Sequence, residues 1–455
     1  MRMTLFKRPL QVDKSPFQTA QQRSTLYGLP REVKYCRECI ISNQRPSSAV
    51  EFKNNGNNKK SIQFNDEGIC DACLVKRNKK QINWKEREQQ LRTLCDRHRS
   101  SDGSYDCLVP GSGGKDSIMQ AHLLKYKYGM NPLTCTWAPN IYTDWGWKNH
   151  QAWIHAGFDN ILFTPNGKIH RILTRVSLER LLHPFQPFFL GQKNLAPKIA
   201  EQYGISLIFF GENEAEYGNS KNDNNQPTRS SEFFTAPENE TLYIGGATLE
   251  ELSEMGIQRG QIAPYLPVSK DRVRDKGIEV HYLGYYEKWH PQGAFYYAVE
   301  NAGFIPAPER SAGSYSKYNS IDDKIDDFHF HTYYTKFGIG RATYDASQEI
   351  RSGDLLREEG VALVNKYDGE FPNRWADEIF SYLSLPPEEF PLASKAFEEP
   401  LVDRHYYDLL CERFRSPHLW DYSDEQGWLI KNKVKNIESN DHEDRVASWV
   451  GNRAN

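Results

Sequence analysis

Residues 112–117 read Ser-Gly-Gly-Lys-Asp-Ser, and these residue types suit one task, the holding of phosphate oxygens. The paired Gly113 and Gly114 let backbone N–H groups approach an anion with no Cβ in the way. Lys115 adds positive charge, and Ser112 and Ser117 add hydroxyl donors. A Walker A loop would space its glycines by four residues and end in Gly-Lys-Ser/Thr. Here Asp116 stands where that motif needs Ser or Thr. A second grouping is Cys36-Arg-Glu-Cys39 with Cys70-Asp-Ala-Cys73. Two such knuckles fit a tetrahedral four-thiolate Zn2+ site on Cys36, Cys39, Cys70 and Cys73. Four protein ligands leave no open position, so a structural metal is expected. The polar insert Asn54 to Lys60 reads as a loop between strands. Glu212 and Glu216, in Gly211-Glu-Asn-Glu-Ala-Glu216, could hold Mg2+ or sugar hydroxyls, or could be a solvated acidic turn. Lys336 and Arg341 flank a Gly-x-Gly turn and are expected to meet phosphate. Asp322, Asp323, Asp326 and Asp327 leave two readings open, a solvated helix face or part of a site.

A phosphate loop needs a strand before it and a helix after it, whose unpaired N–H groups face the anion. Cys107 to Val109 is a short apolar run, and the pattern after Ser117 turns helical. Strands are predicted over 106–110, 133–138, 159–163 and 205–210, and helices over 117–128, 145–156, 167–182 and 192–203. This alternation implies an α/β fold with a parallel sheet covered on both faces. Ligands of such sheets sit at the carboxyl ends of the strands. The phosphate loop, Ala138-Pro139-Asn140 and Gly211–Glu216 all fall there. Residues 1–34 read as an extension with little to bury, 35–82 as the knuckle element and 83–218 as the nucleotide-binding domain. A connecting helix is expected over 83–99. Residues 219–395 read as a substrate-binding, mainly helical domain, and 396–455 as a C-terminal extension. The aromatic stretch Gly284–His290 could face a sugar or pack a helical subdomain.

The 455 residues carry a net charge of −3, so no global basic footprint points to nucleic acid. No run of 18 apolar residues calls for membrane insertion, and a cytoplasmic location is the expectation. Cys411 lies in a helical pattern with no glycine elbow and reads as a core residue. The chain therefore shows no glutaminase of its own.

The hexapeptide at 112–117 is similar to the pyrophosphate loop of the PP-loop ATP pyrophosphatases, whose sheet is of the adenine nucleotide alpha hydrolase-like kind. That resemblance implies cleavage of ATP between its α and β phosphates, with adenine held by backbone groups of the turn after the second strand, at Ala138. Longer segments resemble one family. Tyr318-Asn-Ser-Ile-Asp-Asp-Lys-Ile-Asp-Asp-Phe-His329, Lys336-Phe-Gly-Ile-Gly-Arg-Ala-Thr343, Asp345-Ala-Ser-Gln-Glu-Ile-Arg351 and Tyr367-Asp-Gly-Glu-Phe-Pro372 look like the bacterial N-acetyl sugar amidotransferases. The similarity runs from Cys36 to about Trp420.

This resemblance implies an ATP-dependent enzyme that converts an acetamido group of a nucleotide-activated N-acetyl sugar to acetamidino. The product would serve lipopolysaccharide O-antigen or flagellar pseudaminic-acid-type glycans. It further implies a separate, histidine-pathway-like glutaminase as ammonia source. An amide oxygen is a poor leaving group, and transfer of AMP to it makes the carbon electrophilic. The Gly113 and Gly114 N–H groups and Lys115 would stabilise the departing pyrophosphate. Asp116 would position Mg2+ or the ribose–phosphate end. Lys336 and Arg341 complete the expected catalytic set by analogy with PP-loop synthetases. The alternative is a PP-loop tRNA-thiolating enzyme. Thiolation needs further paired cysteines, whereas Cys95, Cys107 and Cys135 are single. A zinc-ribbon binding module with a dead nucleotide domain is disfavoured by the intact Lys115-Asp116-Ser117.

Overall fold

The computed structural model describes residues 4–18, 23–47, 50–211 and 226–437. Five parallel strands form the central sheet: β1 Cys107–Pro110, β2 Pro132–Trp137, β3 Asp159–Phe163, β4 Leu207–Phe210 and β5 Glu279–Tyr282. Their order is β3-β2-β1-β4-β5. Leu108 aligns with Leu133 on one side and with Ile208 on the other. The chain thus builds outward from β1 in one direction and then in the other. The carboxyl end of β1 lies at this reversal, where open α/β sheets keep their ligand crevice. Side chains alternate across the sheet. Leu108 and Ile208 enter one core; Cys107, Val109, Leu207 and Phe209 enter the other.

The helices that matter for the site are, in chain order, α1 Asp71–Lys79, α2 Trp84–His98, α3 Lys115–His122, α4 Asp144–His155, α5 Gly167–Leu181, α6 Gln186–Tyr203, α7 Pro291–Ala302, α8 Asp326–Phe337, α9 Arg341–Ser352 and α10 Arg357–Tyr367. Leu173 and Val176 of α5 and Leu195 and Ala196 of α6 fill the core on one face of the sheet. Leu91, Ile118, Trp153 and Ala298 fill the other. Every strand and helix expected in the first half is present within a few residues, except that α6 begins at Gln186 rather than 192. Phe188 and Leu190 are buried in that added stretch.

Two expectations change. The sheet takes its fifth strand from beyond residue 218, where Glu279-Val-His-Tyr282 has too much polarity to read as an apolar run. Residues 1–34 are not a bare extension. Phe6 stacks on Phe397 at 4.6 Å, and Phe17 and Leu29 are buried with Phe337, Leu419 and Trp420. Scattered single aromatics give no periodic signal, yet each finds a complementary hollow on the C-terminal segments. No helix is long and apolar enough to cross a membrane among the described residues.

Candidate nucleotide and cysteine sites

The loop after β1 has the shape that its residues require. Gly113 has φ +87, and a Cβ there would lie 2.7 Å from the His150 Cα and 2.8 Å from the Asn149 carbonyl oxygen. Any side chain would therefore push the loop off α4. Gly114 caps α3, so the first N–H groups of that helix open toward the loop. Lys115 is buried, and its ammonium donates to both Asp116 carboxylate oxygens at 2.9 and 2.7 Å. The Trp289 indole N–H also donates to Asp116, at 3.1 Å. The rings of Trp289 and Tyr318 lie 5.6 and 6.0 Å from Lys115 Nζ. Ser117 donates to the Gly114 carbonyl at 3.0 Å. Ser112 lies close enough to the Asp322 carboxylate to lower its pKa against the burial that raises it.

The far half of the chain reaches the loop here, with the Tyr318 ring over Lys115. Ser320, a residue with a Cβ, adopts φ 44. Its carbonyl accepts from the Arg341 guanidinium at 3.2 Å, and so does that of Asn319. The strained backbone, in a region that non-glycine residues avoid, is thus fixed from outside the turn. The turned segment pairs with the turn after β2, at Tyr142. The Thr143 N–H donates to the Asp322 carbonyl at 3.0 Å. The Asp323 carboxylate accepts from the N–H groups of Asn140, Ile141 and Ile325, the last two at 3.3 and 3.0 Å. A Cβ on Gly146 would sit 2.5 Å from the Asp322 Cα, so α4 and the acidic segment touch backbone to backbone.

Asp322, Asp323, Asp326 and Asp327 are therefore no solvated face. Burial raises the pKa of each of them, that of Asp323 to about 7. Only Asp326 and Asp327 are helical. The sequence spacing gave no sign of burial because the matching charge is remote. Arg341, 1% exposed, lies 3.9, 3.7 and 3.9 Å from carboxylate oxygens of Asp326, Asp327 and Asp345. These are ion-pair distances too long for hydrogen bonds. Its Nε and Nη1 have no hydrogen-bond partner among the described residues.

The expected site residues divide. Ser112, Gly113, Gly114, Lys115, Asp116 and Ser117 form one loop, and Arg341 reaches the acidic wall beside it. Lys336 does not join them: ten residues of α8, roughly 15 Å at the usual helical rise, separate it from Asp326. Its ammonium donates to the Leu181 carbonyl at 2.6 Å. Ala138 keeps its place after β2, but its N–H is spent on the Phe163 carbonyl at 2.9 Å. The free polar group of that turn is Asn140, whose side-chain N and O are both buried without a partner among the described residues. The sequence places Ala138-Pro139-Asn140 at the ligand end of the sheet and points to Ala138 for adenine; only the structure shows that the unspent group is the Asn140 amide. Glu212 and Glu216 lie outside the described residues.

The cysteine knuckles converge as their spacing predicts. The sulfurs of Cys36, Cys39, Cys70 and Cys73 all lie within 4.8 Å of one another and are buried. Cys36–Cys73 and Cys39–Cys70 are 3.8 and 3.7 Å apart. Four sulfurs about 2.3 Å from one ion in a tetrahedron would be about 3.8 Å apart, so the cluster fits a metal ion. Ile339, Ala342, Ala346 and Ile350 pack against it from α9 and the turn before it. Arg351 Nη1 lies 3.7 Å from Cys39 Sγ, and Arg357 donates to the Cys39 and Cys36 carbonyls at 3.2 and 3.4 Å. Cys411 is 2% exposed and sits in the core with Tyr407 and Leu410, as expected.

Residues 312–435 match the family model of the LPS biosynthesis protein WbpG-like C-terminal domain. This match supports the family resemblance read from Tyr318 to Pro372. An uncharacterized protein of Methanocaldococcus jannaschii is 33% identical over 84 residues, which are 18% of this chain and 30% of that one. The chain thus matches less than a third of that relative's length. A structure of NMN synthetase from Francisella tularensis aligns over 67% of this chain and 98% of its own, at 14% identity and a TM-score of 0.28. So low a score leaves the fold to be read from the strand order itself.

Proposed function

We propose, on the premise that residues 312–435 carry the WbpG-like C-terminal domain, that this chain is an ATP-dependent amidotransferase acting on an N-acetyl sugar. It would convert an acetamido group of a nucleotide-activated sugar to acetamidino, for a surface polysaccharide or flagellar glycan. The observation that carries the reading is the contact between two regions: the family-matched segment sets Tyr318 over Lys115 and packs Asp322 and Asp323 on α4 and on the turn after β2, beside the 112–117 loop.

ATP is read here as a substrate. Lys115, the Gly113 and Gly114 N–H groups and the open end of α3 would hold its phosphates. Asp116 and Trp289 would aim the Lys115 ammonium, which can move from carboxylate to phosphate without leaving the loop. The unspent Asn140 amide offers one donor and one acceptor, the pair that an adenine edge requires. In the reaction, the acetamido oxygen attacks the α-phosphorus, the α–β bridge breaks and pyrophosphate leaves. Ammonia adds to the activated carbon, AMP departs with the former acetamido oxygen, and one proton is released. The raised pKa of Asp323 gives the site a carboxylate able to take that proton near neutral pH. Mg2+ would supply charge neutralisation to the phosphates. The four cysteines would hold Zn2+ for structure. Ammonia would come from a partner glutaminase.

The test is AMP formation from ATP with N-acetyl sugar nucleotides and ammonium, in the parent chain and in Lys115→Ala. Loss of AMP with unchanged fold supports the reading. AMP release that needs tRNA and no sugar would overturn it.

A further inference from the structure

The loop between the cysteine pairs, Asn54 to Lys60, is more than a connector. A Cβ on Gly56 would lie 3.5 Å from Leu181 at the end of α5, and Lys59 N–H donates to the Tyr27 carbonyl at 3.2 Å. Just past α5, Leu182 adopts φ 44, a left-handed conformation rare for a side chain of that size. The turn brings the next residue, His183, against His329 of α8, with ring centroids 4.8 Å apart and planes at 25°. The Nδ1 atoms of both rings are buried without a hydrogen-bond partner among the described residues, and His329 is 9% exposed. Buried ring nitrogens are normally paired, so these two ask for a ligand. Two turns along α8, Lys336 is also 9% exposed and lies 4.8 Å over the Tyr27 ring. Its bond to Leu181 uses one of three N–H groups. The charges acting on it are Lys59 and Glu51. Lys59 and Lys336 act on both imidazoles, with Lys193 adding to His183 and Arg341 to His329. Among the described residues that act on these three groups, Lys59, Lys336, Lys193 and Arg341 are positive and Glu51 is negative.

We infer that Lys59, Lys336, His183 and His329 form an anion subsite, completed by the loop of the cysteine knuckle, for the diphosphate of the activated sugar. The inference rests on the proposed function for the sugar end of the ligand; the anion end stands on the residues themselves. Helix α8 runs from Asp326, whose carboxylate faces Arg341, to Lys336, with the two side chains about 80° apart around its axis. That span of roughly 15 Å lets one extended ligand place an acetamido group at the loop and a diphosphate at the basic end. The cysteine cluster then serves binding as well as folding, because it anchors both ends of the segment that carries Lys59. Burial lowers the pKa of Lys336 to about 7 and holds both imidazoles well below their ordinary range. An anion favours the protonated forms, so its binding takes up protons.

The test is calorimetric titration of the whole, metal-loaded chain with its phosphate loop filled by saturating α,β-methylene-ATP. Inorganic pyrophosphate is the titrant in one arm and UDP in the other. We expect binding in at least one arm, with a buffer-dependent heat that reports proton uptake at pH 8. Lys59→Ala removes a partly buried side chain and should weaken binding about tenfold or more at unchanged melting temperature and zinc content. Binding in neither arm, or equal binding by Lys59→Ala, would overturn the subsite. AMP and amidine formation in the parent chain are scored separately, so loss of the subsite and loss of the amidotransferase reading give different results.

Discussion

Helix α9 has an arginine at each end, and the two meet opposite surroundings. Arg351, in the last turn, meets the cysteine cluster, where its guanidinium reaches the Cys39 sulfur. Arg341, in the first turn, faces three carboxylates at 3.7–3.9 Å and leaves Nε and Nη1 without a hydrogen bond. One end of the helix closes a structural cluster. The other leaves donors to spare beside a phosphate loop. Unspent polarity is costly when buried, and a fold retains it where a ligand repays the cost. On the proposed reading, the contrast separates what holds this protein together from what it binds with, and each of the following changes bears on one side of it.

The largest effect should come from the structural end. Cys39→Ser should abolish metal retention and unfold the knuckle together with its contacts to α9, because structural zinc sites in small peptides contribute about 10–16 kcal/mol. Zinc content and thermal melting measure this, and a soluble, zinc-free variant of parental stability would remove the structural reading. At the other end, Lys115→Ala should lower AMP formation about 100- to 1000-fold, the usual cost of one donor at developing charge. Its melting temperature should hold. A stability loss in step with activity would make the loop structural and erase the contrast.

Arg351→Met sharpens the comparison from within α9. A group that supports a metal ligand without touching the metal typically costs about 10- to 100-fold in metal affinity when removed. Competition with a chelator should show that loss, with residual AMP formation in the zinc-saturated variant. Arg341→Lys should do the reverse. It keeps the charge but loses the planar fork on the Asn319 and Ser320 carbonyls, so activity should fall while zinc affinity stays.

The smallest effect is on pH dependence. Asp323 has its pKa raised by burial from an ordinary 3.8 to about 7. Between those values the folded chain keeps a proton that the unfolded chain releases. Its contribution is therefore most stabilising below the unfolded value and is lost as pH rises through 7. Thermal melts from pH 5 to pH 8 should show a falling component that Asp323→Asn removes. An identical slope in both proteins would mean that the carboxylate is charged throughout.

The sequence disclosed these regions unequally, for physical reasons. The phosphate loop and the cysteine knuckles are local: glycine freedom and thiolate pairing act over a few residues, and both were readable with their strand and helix. The first four sheet strands are apolar runs and were equally plain. The acidic wall was not, because Asp322 packs on Gly146 and Asp323 on the turn at 140–141, about 180 residues earlier. The sequence misplaced Lys336, without bearing on whether it meets phosphate. A glycine turn beside a lysine suggests phosphate, but the length of α8 carries this one away from the loop. Asn140 was legible as part of the turn after the second strand but not as its binding group, because an unspent amide has no signature in a sequence.

The central claim is that AMP is carried on the acetamido oxygen. The direct measurement uses nucleotide-linked N-acetyl sugars with heavy oxygen in their acetamido groups, incubated with the chain, ATP and ammonium. Mass spectrometry then follows the label. The account predicts that the heavy oxygen leaves in AMP while the sugar exchanges that oxygen for nitrogen. Amidine product with unlabelled AMP, or labelled sugar recovered intact while AMP accumulates, would contradict it.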